Sequence, residues 1–296
     1  KVVLPESVRG KDVFLIQCAI DQTRPSSLHR NIWETLQTID VLRNCHAQYI
    51  TLVMPCMPYA RQDKRWGREP SSAMLLAKMI GAAGADAFIT MDMHADQIKG
   101  YFELAGVIPD ALYASNIFIP YIRKNYNLSN LVIVPPDAGG VKRAFFYAEK
   151  IFGTNNSSEV ENKVIFVTKK RSLTKANVVD FTRVEGDVRG KTVLMVDDIV
   201  DTGGTLVPII QTMHAKGAKH VCICATHGIM SEPAISRFSD LYAERKLGQF
   251  LTTDTIPHNE ALIKSKQWLK RLSVAPMLAE MIMRINQNKP TSSLYL

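Results

Sequence analysis

The sequence lacks the features of several large protein classes. None of its apolar runs approaches the roughly 20 residues that a membrane-spanning helix needs, so no membrane association is predicted. Cysteine is scarce: five scattered residues, an odd number without a Cys-x-x-Cys pair, predict reduced thiols in a cytoplasmic protein. The basic residues are spread along the chain without a nucleic-acid-binding motif, so no nucleic acid partner is predicted.

What is present is the composition of an α/β protein. The 296 residues are 46% hydrophobic and 22% charged, which suits one large or two medium domains. The net charge of +8 favours an anionic ligand, and phosphorylated small molecules account for it with fewer assumptions than a nucleic acid.

Strand-like and helix-like segments alternate along the chain, and this alternation predicts parallel sheets covered by helices on both faces. There are too many strands for one small sheet, so we predict two α/β lobes. The predicted strands are 12–18, 49–54, 86–91, 130–135, 163–168, 193–196, 219–226 and 249–253, and the predicted helices are 29–45, 71–83, 114–125, 140–151, 205–216, 232–238 and 275–287.

The most informative stretch is VLMVDDIVDTGGT at 193–205. Its apolar start indicates a buried parallel strand, and ligands of open α/β sheets bind beyond the carboxyl ends of such strands. Glycines let backbone N–H groups approach an anion, and the dipole of the following helix points at the same place. The stretch therefore predicts a phosphate cradle next to two carboxylates, which suits a phosphorylated sugar. The alternative is a helix N-cap followed by solvated acids.

Four other segments carry polar side chains directly after a predicted strand. Each has a simpler alternative, which is a solvated basic loop, a structural histidine or an ordinary helix start. The segments are PYARQDKRWGREP at 58–70, ITMDMHADQIKGYF at 89–102, VPPDAGGVKRA at 134–144 and VTKKRSLTKAN at 167–177. The last one opens a long stretch without periodicity, which we predict to be a loop over 169–190. Residues 153–162, which include NNSSE at 155–159, are predicted to be an ordinary surface loop.

Together, in this order and spacing, the five motifs resemble those of the ribose-phosphate pyrophosphokinases, also called phosphoribosyl pyrophosphate (PRPP) synthetases. The resemblance covers essentially the whole chain. It implies two phosphoribosyltransferase-like lobes, each a mainly parallel sheet flanked by helices. We expect an ATP-side lobe at 1–110 and a ribose-5-phosphate-binding lobe at 111–271, with the C-terminal helix, about 272–296, packed on the first.

The resemblance also implies the residues of the site. Arg61, Gln62 and His94 would bind ATP, and Lys169 and Arg171 would close over the transferred group as catalytic residues. His94 and Asp137 would serve the Mg²⁺ that ATP brings. The ribose 5-phosphate would be held by Asp197, Asp198, Asp201, Thr202, Gly203, Gly204 and Thr205.

The implied reaction moves the β,γ-diphosphoryl group of ATP to ribose 5-phosphate, giving PRPP and AMP. The implied assembly is a homo-oligomer of dimers forming a hexamer. Two alternatives remain open. A base-salvage phosphoribosyltransferase would share the 193–205 motif but not the segments at 58–70 and 89–102. A non-catalytic regulatory homologue would share the motifs without the activity.

The sequence departs from the family pattern in a few places. Family members carry a strand and a Phe-Ser-x-Gly-Glu-type segment before the part that matches PESVRG at 5–10, and this sequence does not contain them. Either the sequence is a fragment or the gene product is truncated; if the chain is truly short, we expect adenine to lose an aromatic partner. The basic loop is one residue shorter between Lys64 and Glu69, and Tyr101 replaces a phenylalanine of the family.

Overall fold

The structure, a computed structural model, describes residues 2–171 and 179–295, with the backbone alone at residues 25, 168–171 and 179–183. Its helices and strands follow one another in chain order. The first are β1 (Asp12–Ile16), α1 (Leu28–Asn44), β2 (Tyr49–Val53), α2 (Ser72–Ala83), β3 (Ala87–Met91), α3 (Gln97–Leu104), β4 (Ile108–Leu112) and α4 (Ser115–Asn125). Then come β5 (Leu131–Val134), α5 (Val141–Phe152), α6 (Ser157–Glu161), β6 (Phe166–Arg171), β7 (Val179–Glu185), β8 (Thr192–Val200) and α7 (Leu206–Ala215). The last are β9 (His220–Gly228), α8 (Ala234–Ala243), β10 (Leu247–Thr253), α9 (Glu260–Ser265), β11 (Leu269–Leu272) and α10 (Ala275–Asn286).

The chain divides into two compact units. Unit 1 comprises residues 1–114, 254–259 and 273–296, and unit 2 comprises residues 115–253 and 260–272. The C-terminal helix α10 thus belongs to unit 1.

Unit 1 is built on a parallel sheet in the order β1-β2-β3-β4. The predicted apolar face of α1 is buried, with Ile32, Leu36, Ile39 and Leu42 each at most 8% exposed. In the interior of this unit, the rings of Phe88 on β3 and Phe102 on α3 stack with centroids 4.1 Å apart. Every residue of β3 is buried, as expected for a parallel strand covered on both faces.

Unit 2 is built on a second parallel sheet in the order β11-β10-β9-β8-β5. Strand β8 lies between β9 and β5, and its residues 193–196 are fully buried. Helices α7 and α8 contribute Ile209, Met213 and Phe238 to the core of this unit. The predicted fold class, parallel sheets flanked by helices, is confirmed in both units.

Three local predictions were wrong. The stretch 169–190 is not one long loop, because β6 pairs with the antiparallel β7. The predicted surface loop at 153–162 contains the short helix α6, whose Val160 is buried. The strand of the motif at 193–205 does not end at Val196 but continues to Val200, so Asp197 and Asp198 lie inside β8. Helices α3 and α9 and strands β4 and β11 were not predicted.

No helix in the described part of the chain combines the length and the apolar character needed to cross a membrane.

Candidate functional site

The loop at residues 201–205, which joins β8 to α7, has the backbone geometry of an anion site. Gly203 has a φ of +73°, in the left-handed region that favours glycine. The Gly203 carbonyl accepts hydrogen bonds from the Leu206 and Val207 N–H groups, at 3.1 and 3.0 Å, and so caps α7. Among the residues that the structure describes, none accepts a hydrogen bond from the N–H groups of residues 202–205. Adjacent N–H donors without acceptors at a helix N-terminus are suited to bind a phosphate.

Asp197 and Asp198 lie just before this loop, inside β8, and form a carboxylate pair with Arg143. The Arg143 Nη1 atom lies 3.0 Å from Asp198 Oδ1 and 3.5 Å from Asp197 Oδ1. Burial and the neighbouring Asp198 carboxylate raise the pKa of Asp197 from 3.8 to about 7, although the Arg143 guanidinium opposes the shift. Acids so placed can accept hydrogen bonds from sugar hydroxyls, since a carboxylate has several acceptor positions.

The sequence did not predict that Arg143 contacts the two carboxylates of β8. Arg143 occupies the first turn of α5, where a cation opposes the helix dipole. The two carboxylates of β8 offset that cost by pairing with it. Arg143 itself lies in the motif at 134–144, but the carboxylates that it contacts lie more than 50 residues away in the sequence.

Asp137 follows β5 and begins the turn that leads into α5. Its Oδ1 accepts a hydrogen bond from the Gly140 N–H at 3.0 Å, and the residue is exposed. The exposed carboxylate is therefore available to a ligand as well as to the turn.

The basic loop at 58–70 belongs to unit 1 and is anchored through Asp63. The Tyr101 hydroxyl donates to the Asp63 carbonyl at 2.6 Å, and the Gln97 amide donates to the Asp63 carboxylate at 2.5 Å. Both donors lie on α3. The preceding residues, Arg61 and Gln62, are exposed, with the Gln62 carbonyl accepting the Ser71 hydroxyl at 3.3 Å. The loop is thus fixed at its base, while its cationic side chains project into solvent.

His94 lies between β3 and α3 in unit 1 and is half-buried. Nearby Asp92 has a φ of +34°, a strained conformation for a residue other than glycine. Its Oδ2 atom accepts a hydrogen bond from the Ala114 N–H at 3.1 Å, so the turn that carries His94 is tied to the segment after β4.

Lys169 and Arg171 lie on β6, opposite Thr182 and Val179 of β7. Their side chains are outside the described part of the structure, as are residues 172–178 of the segment that follows.

The described residues contain no cluster of three His, Cys, Asp or Glu side chains that could hold a metal by themselves. Mg²⁺ in nucleotide enzymes is usually held by one or two carboxylates together with substrate phosphates and water. In unit 2 the buried Oδ1 atom of Asp201 has no hydrogen-bond partner among the described residues. The unpartnered Asp201 oxygen, without a preformed set of three ligands among the described residues, fits a metal that binds together with its substrate.

These features define a class. A parallel sheet in which an interior strand carries an acid pair and leads into a glycine loop with free amides fits the phosphoribosyltransferase-like lobe that the sequence predicts. The family models agree: residues 1–84 match the N-terminal domain of ribose phosphate pyrophosphokinase, and residues 112–243 match the phosphoribosyl transferase domain.

Similar proteins narrow the class further. A ribose-phosphate pyrophosphokinase of Corynebacterium efficiens is 41% identical over 293 residues, covering 98% of this chain and 82% of that protein. One of Porphyromonas gingivalis is also 41% identical, covering 98% of this chain and 84% of that protein. The crystal structure of phosphoribosylpyrophosphate synthetase from Mycobacterium smegmatis aligns with a TM-score of 0.82 at 37% identity, over 97% of this chain and 86% of that chain. The chain therefore belongs to the ribose-phosphate pyrophosphokinase family.

Proposed function

We propose that this protein transfers the β,γ-diphosphoryl group of ATP to the 1-hydroxyl of ribose 5-phosphate, giving PRPP and AMP for nucleotide biosynthesis. The observation that carries the proposal is the arrangement at the end of β8, where free backbone donors follow directly on a carboxylate pair. Such a site suits a sugar phosphate, with the phosphate on the amides and the hydroxyls on the acids. Family membership favours ATP as the second substrate.

In unit 2, the amides of residues 201–205 bind the 5-phosphate, and the hydroxyls of Thr202 and Thr205 add donors. Asp197 and Asp198 accept hydrogen bonds from the ribose 2- and 3-hydroxyls. Arg143 keeps the two carboxylates in place before the sugar arrives, because it contacts both of them. Asp201 stands at the start of the loop and offers its unpaired Oδ1.

In unit 1, Arg61 and Gln62 bind ATP. Arginine pairs well with phosphate oxygens because its planar guanidinium can donate two parallel hydrogen bonds. The anchor between Asp63 and α3 fixes the base of the loop, so less conformational entropy is lost when the side chains engage the nucleotide.

The metal is Mg²⁺, with His94 and Asp137 as its candidate protein contacts. When bound with ATP, Mg²⁺ neutralises phosphate charge and so supports attack by an oxygen nucleophile. Neither residue is part of a preformed three-ligand cluster in the described chain, which fits a metal held mainly by substrate oxygens.

The chemical step needs alignment and charge stabilisation more than covalent help from the protein. Lys169 and Arg171 are the proposed catalytic residues and stabilise the charge that develops on the transferred group. Their position on β6 puts them on the hairpin of unit 2, whose next residues are 172–178.

The resemblance to the family supports two further statements. The protein acts in the cytoplasm, and it assembles as dimers that form a hexamer.

The proposal is tested by incubating the protein with ATP, Mg²⁺ and ribose 5-phosphate and measuring AMP and PRPP by ³¹P NMR or a coupled assay. We expect equal amounts of AMP and PRPP, and neither product when ribose 5-phosphate is omitted. Consumption of PRPP with a free base, but no synthesis, would instead identify a base-salvage enzyme. Nucleotide binding without any AMP would identify a regulatory homologue.

A further inference from the structure

Helix α8 packs against the phosphate loop of residues 201–205, and two consecutive residues of the helix contact that loop. Phe238 is fully buried, and a Cβ atom added to Gly203 would come within 2.8 Å of its Cζ. Arg237 donates from Nη1 to the Thr202 carbonyl at 2.9 Å. A Cβ added to Gly204 would lie 3.7 Å from the same nitrogen. One helix thus supports the loop by packing and by a charged hydrogen bond.

The Arg237 contact fixes the direction of a backbone donor. In a trans peptide the carbonyl and the following N–H point in opposite directions. Because the Thr202 carbonyl points at Arg237, the Gly203 N–H points away from α8. The Gly203 carbonyl is likewise held by α7, so the Gly204 N–H points away from that helix. The free amides are therefore oriented before any anion binds.

The location of Arg237 is unfavourable for its own helix. It lies in the first turn of α8, where the dipole favours anions. The same is true of Arg143 in α5, which contacts the carboxylates of the site. A cation that opposes its helix dipole and contacts the loop with free amides is better explained by an anionic ligand than by helix stability.

We propose that Arg237 is a positioning residue for the 5-phosphate of ribose 5-phosphate. It holds the Thr202 carbonyl so that the free amides of the loop face the phosphate. This proposal rests on the function proposed above. Arg237 is the last residue of the stretch THGIMSEPAISR at 226–237.

The test compares Arg237→Gln and Arg237→Ala with Arg237→Lys and with Ser236→Ala, an adjacent control whose hydroxyl donates to the Pro233 carbonyl. We expect the Gln and Ala variants to raise KM for ribose 5-phosphate about 10-fold, the loss of a charge-assisted hydrogen bond. KM for ATP should stay within about twofold, Lys should recover most of the affinity because it keeps a charged donor, and the control should match the wild type. Two variants remove the guanidinium, so a failure of one to fold leaves the other.

A second readout does not depend on turnover. Inorganic phosphate should raise the thermal unfolding temperature of the wild type and of Ser236→Ala, and this protection should be lost in Arg237→Gln and Arg237→Ala. If the wild type makes no PRPP but phosphate protection depends on Arg237, the proposed reaction fails while the anion site stands. Unchanged KM for ribose 5-phosphate and unchanged protection in both variants, or an equal rise in both KM values, would overturn the role of Arg237.

Discussion

At the scale of single residues, Gly203 determines how closely α8 and the phosphate loop can approach. Its φ of +73° is costly for any residue with a side chain, and its Cα faces the ring of Phe238. Two separate penalties therefore act on a substitution at this position, one from the backbone and one from the contact.

We expect Gly203→Ala to lower the free energy of unfolding by more than the about 1–2 kcal/mol that the backbone conformation alone costs. Gly190→Ala is the matched control, because Gly190 has a φ of +70° and no atom within 4 Å of an added Cβ. Denaturant unfolding measures both variants, and ribose 5-phosphate affinity should fall only in Gly203→Ala. Equal destabilisation of the two would mean that the Phe238 contact adjusts freely.

The next prediction concerns the pH dependence of stability, because the pKa of Asp197 rises on folding from 3.8 to about 7. The folded chain then binds the proton more tightly than the unfolded chain, so stability falls as pH rises from about 4 to about 7. Relative to Asp197→Asn, the wild type should therefore lose free energy of unfolding across this window and change little outside it.

Thermal or denaturant unfolding as a function of pH checks the difference between the two proteins. Glu6→Gln, which removes one carboxyl at an exposed position outside β8, is the control for the loss of a negative charge. The Asn variant should also lose affinity for ribose 5-phosphate. A difference that grows in the opposite direction would show that the Arg143 pair dominates over burial.

At the scale of elements, α3 acts as the support of the basic loop. The Tyr101 hydroxyl on α3 donates a hydrogen bond to the Asp63 carbonyl of the loop. This hydrogen bond holds the backbone of the loop at Asp63 against α3.

We expect Tyr101→Phe to raise KM for ATP about 3- to 10-fold, since a single hydrogen bond contributes roughly 0.5–1.5 kcal/mol. KM for ribose 5-phosphate should not change. Tyr113→Phe removes the same atom at a partly exposed site in unit 1 and serves as the control. Steady-state kinetics with each substrate varied in turn measures both KM values. An unchanged KM for ATP would show that the Tyr101 hydroxyl does not support the loop.

The hairpin of β6 and β7 carries the proposed catalytic pair. Replacing Lys169 or Arg171 with Ala should lower kcat about 100-fold or more, as expected for the loss of charge stabilisation in the transition state. Affinity for ribose 5-phosphate should fall far less, which equilibrium titration can measure separately from turnover. An equal loss in both quantities would contradict a role confined to the chemical step.

The elements that the sequence did not predict share a physical cause, which is weak local signal. Strand β4 has the sequence IPDAL, with a proline and an aspartate, and lies at the edge of its sheet. Strand β7 depends on its partner β6, and β11 is a short edge strand with two basic residues. The periodic helix α1 and the apolar start of β8 were predicted because their burial is visible in the residues themselves.

The candidate site likewise has residues that the sequence indicates locally and residues whose roles depend on distant contacts. The loop residues and acids were predictable, because glycines and carboxylates after an apolar run point to one kind of site. The roles of Arg143 and Arg237 were not, because each depends on an atom that the fold brings close from a distant part of the sequence.

At the scale of the whole molecule, the proposed substrates divide between the two units. The candidate ATP residues, Arg61, Gln62 and His94, belong to unit 1, and the sugar-phosphate residues belong to unit 2. Both parts of the chain match their own family model, so each unit retains its own recognisable sequence. Each unit should therefore respond to its own ligand when that ligand is supplied alone.

Hydrogen exchange with mass spectrometry tests this division. We expect ribose 5-phosphate alone to slow amide exchange in residues 197–207, where the free N–H groups of the loop would gain an acceptor. Mg²⁺ and ATP should slow exchange in residues 58–70 and around His94. Adding EDTA should weaken the ATP effect, because uncompensated phosphate charge binds less well, and should leave the ribose 5-phosphate effect intact. Protection of residues 197–207 by ATP alone, without protection in unit 1, would contradict the assignment of the nucleotide to unit 1, and the basic loop would then have to be a solvated surface.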